Sequence, residues 1–116
     1  MANTFKNKTF DGSNVSANTD MIPYTCPSST TTVVIGLVLA NIHSSAVTAE
    51  VELVSTTSGG GRAANNGTSF LVKDVNIPNG SSLEILSGGK VILETGDLLR
   101  IDCSVADKLS GTLSIM

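Results

Sequence analysis

The 116-residue chain has no tryptophan, one tyrosine, three phenylalanines and one histidine. Aromatic rings are the usual anchors of glycan and protein hot spots, so a sugar site built on stacked rings is not expected. The single histidine, His43, sits in a polar turn with Ser44 and Ser45. It cannot by itself supply the several His or Cys ligands of a zinc centre. Charge is scarce as well: Asp, Glu, Lys and Arg make up 15 %, against about a quarter in ordinary soluble domains. The net charge of −3 and a pI near 4.8 give no basic footprint for nucleic acid and nothing to attract an anionic membrane. Cys26 and Cys103 allow one disulfide at most. No apolar core of a signal peptide follows Lys6 and Lys8, so both thiols are expected to be reduced and the chain to be made in the cytoplasm. The apolar run 33–40 is too short to span a bilayer.

Ser, Thr, Asn and Gly are abundant, and they close off eight short apolar stretches. In Val47-Thr48-Ala49-Glu50-Val51-Glu52-Leu53, Val47, Ala49, Val51 and Leu53 share one face while Thr48, Glu50 and Glu52 share the other. A period of two marks a half-buried strand, because successive side chains point to opposite sides of the pleat. Further strands are expected at 32–42, 70–77, 81–86, 91–94, 98–105 and 112–116. Asn79-Gly80 and Asn66-Gly67 suit the positive φ of hairpin turns. Pro23 and Pro27 keep 24–26 out of a central strand. The pattern predicts an all-β fold: one antiparallel β-sandwich, jelly-roll-like, over residues 23–116, with residues 1–22 as an extended N-terminal arm or edge hairpin. Residues 32–42 are apolar on both faces, with Ile35, Leu37 and Leu39 assigned to one and Val34, Val38 and Ala40 to the other. A small antiparallel domain buries only one face of a strand in its own core. The second face is therefore expected to meet an arm, a loop or another subunit.

No constellation of catalytic residues emerges. The three glycines 59–61 lack the spacing of a phosphate-binding loop, so residues 58–67 read as a hairpin tip or as a contact loop anchored by Arg62. There is no G-x-S-x-G elbow for a nucleophilic serine. Glu94, Asp97, Asp102 and Asp107 are dispersed over strands and turns with no pair set for acid–base work. Leu93-Glu94-Thr95-Gly96-Asp97-Leu98-Leu99 has the strand–turn–strand pattern of cupin-type jelly rolls, but the histidine cluster of a cupin metal centre is absent. The acceptor patterns for N-glycosylation at Asn66 and Asn79 have no consequence without export. No catalytic residue, metal, cofactor or small-molecule substrate is expected.

The order Tyr24-Thr25-Cys26-Pro27, then 33–42 (VVIGLVLANI), then 70–83 (FLVKDVNIPNGSSL) and Leu93-Glu94-Thr95-Gly96-Asp97 resembles small β-sandwich virion structural proteins of tailed bacteriophages, notably marine and cyanobacterial ones. The likeness covers most of residues 20–116. It implies a non-enzymatic virion part that forms a homo-oligomer, a trimer being favoured, and binds the major capsid protein or other virion subunits. Within that class a capsid decoration (cement) protein is the leading expectation. A neck or tail accessory subunit, and a receptor- or glycan-binding module of a tail fibre, are the alternatives. The expected contact residues are Phe5, Phe10, Val34, Val38 and Arg62.

Overall fold

The alternation along the chain builds two packed antiparallel sheets. The computed structural model describes residues 4–10, 21–55 and 67–116. Among them lie nine strands: β1 (Lys6–Phe10), β2 (Met21–Thr25), β3 (Thr31–Asn41), β4 (Val47–Val54), β5 (Thr68–Ile77), β6 (Ser82–Glu84), β7 (Val91–Glu94), β8 (Leu98–Cys103) and β9 (Leu109–Ile115). The first sheet has the order β1-β9-β3-β6, with β7 also paired to β3, and the second has the order β2-β8-β4-β5. All pairings are antiparallel. The pairs are nested: β1 with β9, β2 with β8, β3 with β6 and β7, β4 with β5. A long hairpin rolled up on itself gives this scheme, which is the jelly-roll arrangement.

The inward rows of the two sheets meet in one core, to which β1 adds only Phe10. Leu37, Leu39, Leu93, Leu99, Ile101, Leu109 and Leu113 are fully buried, with Val47, Ala49, Val51 and Ile77 beside them. Removing the side chain beyond Cβ at a site such as Leu37 costs about 2–5 kcal/mol through lost transfer energy and the cavity left behind. Cys26 and Cys103 are free thiols inside this core. Cys26 Sγ lies within hydrogen-bond reach of the carbonyls of Thr30 (3.3 Å) and Leu93 (3.4 Å).

Two sequence expectations are adjusted. The last strand starts at Leu109, three residues before the expected start, since Leu109 and Gly111 continue the buried alternation of Leu113 and Ile115. The two faces of β3 are also not divided as the period of two predicts. A bulge between Val34 and Gly36 inserts one residue, which breaks the alternation there. Val34, 1 % exposed, therefore joins Leu37 and Leu39 in the core, opposite Ile115 and Val91. It offers no surface to a partner. Ile35 moves to the outer side.

The sheet edges differ in regularity. β2 contains Pro23 and a register shift between Met21 and Tyr24. β5 has two shifts against β4 and a positive φ of 50° at Asp74. β6 and β7 are three and four residues long. Prolines, bulges and short strands are the usual devices that prevent edge-to-edge pairing. Of the described edge strands with five residues or more, β1 alone pairs along its whole length without a shift, from Lys6 opposite Ile115 to Phe10 opposite Gly111. Its side chains are exposed except Phe10, which packs against the core. Phe10 lies across Gly111, where an added Cβ would fall 2.4 Å from the ring and 3.2 Å from Leu39 Cδ2.

Gly111→Ala therefore displaces the far end of the Phe10 ring and loosens β1 while the rest of the sandwich stays folded. A loss of about 1 kcal/mol, or roughly 3–6 °C in Tm, is expected. Amide exchange should accelerate selectively at residues 6–10. An unchanged Tm with unchanged β1 protection contradicts the wedge.

Burial pushes the Cys103 thiol above its ordinary range. A thiol that is harder to ionise folded than unfolded stabilises the fold below its unfolded pKa. That contribution is lost as pH rises through the folded value. The urea midpoint of the wild type should fall between neutral and alkaline buffer, and Cys103→Ala, although less stable at neutral pH, should show a shallower fall. Parallel slopes contradict this role for the thiol.

Candidate interaction surface

The inward rows are alike in the two sheets; the outward rows are not. On the second sheet the cross-strand register of β4, β5 and β8 brings charges together. Glu50 lies opposite Asp102 and Glu52 opposite Arg100. The Arg100 guanidinium donates to the Glu52 carboxylate, which is 7 % exposed. Lys73 Nζ lies 3.0 Å from Glu50 Oε1 and 4.8 Å from the centroid of the Phe70 ring. The Glu50 contact raises the Lys73 pKa. This face is an ion-paired, solvated surface.

The outer face of the first sheet is close to uncharged. Val33 lies opposite Ile92, and Val38 lies between Thr112 and Glu84. Ala40 lies between Ser110 and Ser82, and Gly36 faces Ser114. Ile92 is 61 % exposed, Ile42 just past the end of β3 is 53 % exposed, and Val38 is 39 % exposed. Phe5, 69 % exposed, borders a shallow groove lined by Lys6, Asn7, Ile35, Ser114 and Ile115. Small hydroxyl residues of β9 separate the apolar ones, and Ser114 Oγ lies 3.3 Å from Asn7 Oδ1. The acidic groups on this face are Glu84 and Glu94. Glu84 Oε1 accepts the backbone N–H groups of Leu37 and Leu86, both at 3.3 Å. Its carboxylate is thereby tied to the bulge of β3 and the turn after β6.

The polar residues of the turns are structural. Asn41 Nδ2 donates to the carbonyls of Ser45 and Ile77, both at 2.9 Å, and its Oδ1 accepts the His43 N–H at 2.7 Å. Asn41 thus fixes the β3–β4 turn, and His43 belongs to that turn. Asp97, 3 % exposed, accepts the Glu94 N–H at 3.0 Å and the Ser55 hydroxyl at 3.3 Å. It closes the β7–β8 turn, whose Gly96 has φ +87°. The turn also holds the end of β2 through Cys26 N–H to Asp97 O and Gly96 N–H to Cys26 O. Among the described residues there is no group of three His, Cys, Asp or Glu that could hold a metal ion. No helix among them is long and apolar enough to cross a membrane.

Of the five residues expected to make contacts, Phe5 and Val38 lie on the apolar outer face, Phe10 is the anchor of β1, and Val34 is in the core. Arg62 and residues 58–66 of its loop lie outside the described residues. Ile92 and Ile42, the most exposed aliphatics of the apolar face, were not singled out from sequence. Ile92 sits in the short run Val91-Ile92-Leu93, where three apolar residues in a row place one outward. Gly36 inside a strand is the signal that could have located the bulge. Comparison with known protein families, curated proteins and solved structures finds no match.

Asp97→Ala leaves two part-buried donors, the Glu94 N–H and the Ser55 hydroxyl, without their carboxylate, which costs about 1 kcal/mol for each. A fall in the urea midpoint is expected, accompanied by faster exchange at Cys26 and Glu94. A midpoint equal to wild type contradicts the turn-closing role.

Proposed function

We propose that this chain is a non-enzymatic structural protein of a tailed-phage virion, a decoration protein that binds and stabilises neighbouring capsid subunits. The observation that carries the reading is the regular edge of β1, unpaired among the described residues, with exposed Phe5 beside it. An edge strand presents a row of N–H and C=O groups to which a partner strand can add, the backbone bonds supplying affinity and neighbouring side chains specificity. Lys6 and Lys8 disfavour pairing of this edge with a copy of itself and suit an acidic neighbour. The jelly-roll arrangement supports the reading by analogy, being frequent in capsid proteins and also found in lectins and cupins. The dispersal of acidic groups into turns and ion pairs supports a role without catalysis.

In this reading the protein leaves the host cytoplasm as part of the virion, and its work is mechanical. Each copy adds contact area across a capsomer boundary, and its stability resists the opening of that boundary. Binding of purified protein to undecorated capsids tests this by co-sedimentation. Phe5→Ser, a change at an exposed position, should weaken capture at least tenfold with Tm unchanged. Removal of residues 2–10 should abolish capture. Undiminished capture of both variants overturns the role of the β1 edge, and capture of neither the wild type nor a variant overturns the decoration reading.

A further inference from the structure

The apolar outer face of the first sheet carries an inference that does not depend on the decoration reading. We propose that two copies of this chain stack through this face, with Val38 and Ile92 in the buried centre. The face is four strand positions wide, because β6 and β7 share the place beside β3, and β3 is 11 residues long. The flanking strands are shorter, with five residues in β1, seven in β9, and three and four in β6 and β7. With strands about 4.8 Å apart and a rise of about 3.4 Å per residue, the footprint is roughly 500 Å². Two such faces together bury roughly 1,000 Å², the size of a weak, reversible contact.

The composition fits the same occupant. Centres of interfaces are depleted of charge, and the middle of this face consists of Val33, Ile35, Val38, Ala40 and the hydroxyl residues of β9. Glu84 and Glu94 lie at the β6–β7 edge of this face, whereas Lys6 and Lys8 of β1 pair with the buried Ile115 and Leu113 and so belong to the inward row. A two-fold axis between the sheets and parallel to β3 sets the β1 edge of each copy over the β6–β7 edge of the other. Apolar centre then meets apolar centre, and the outward Asn7 and Thr9 of β1 meet the glutamates of β6 and β7. An isologous contact of this kind closes at two copies.

Sedimentation velocity of the purified full chain over a range of concentration is the test. The wild type should show a concentration-dependent monomer–dimer equilibrium. Val38→Glu and Ile92→Lys, both at exposed positions, should each raise the dimer Kd at least tenfold with far-UV circular dichroism and Tm unchanged. Phe70→Ser, on the charged face, should leave the Kd within twofold of wild type. The proposal is overturned by a strict monomer up to about 1 mM, by a trimer as the closed species, or by dimerisation that resists Val38→Glu and Ile92→Lys. Because capsids take no part, failure here leaves the β1–capsid contact standing, and loss of capsid binding leaves the dimer standing.

Discussion

Everything in this fold depends on β3 holding its register between β9 and the β6–β7 pair. It is the longest strand, and it supplies Val34, Leu37 and Leu39 to the core. A one-residue slip would send the inner row to solvent. The bulge at Val34–Gly36 makes that register unusual, because it changes which residues point inward partway along the strand. Glu84, reaching over to the Leu37 N–H, holds a backbone donor beside the irregularity.

The two outer faces follow from how charge is distributed over the strands. β4 and β8 alternate apolar and charged residues, so their outer row is ionic, and Glu52 with Arg100 forms a partly buried pair. Such a pair contributes little net stability, but removing one partner leaves a costly uncompensated charge. β3 and β9 carry aliphatic and hydroxyl residues outward instead. One face is thereby already satisfied in water, and the other gains by being covered. The proposed assembly role uses that asymmetry: a chain with few charges concentrates them where no partner is needed.

Much of the architecture was legible in the sequence because it rests on local periodicity. The alternation in β4, the run of β3 and the positive φ of Gly80 at the Asn79-Gly80 turn are all found. The all-β sandwich follows from them. What was not legible depends on pairing across the chain. No local pattern announces that Gly111 makes room for Phe10, that Glu52 meets Arg100, or that Asp97 is buried as a turn brace. Val34 was placed outward because a strict period of two cannot anticipate an inserted residue. The expectation of a second apolar face on β3 survived that error, since Ile35 took the outward place.

The account turns on the division between an adhesive face and a solvated one. Hydroxyl-radical footprinting across a dilution series measures it directly, since Ile92 on one face and Phe70 on the other are both exposed in the isolated chain. As concentration rises, oxidation of Ile92 and Val38 should fall severalfold while that of Phe70 stays constant. Protection of Phe70, with Ile92 unchanged, would contradict the division and move the contact surface to the ion-paired sheet.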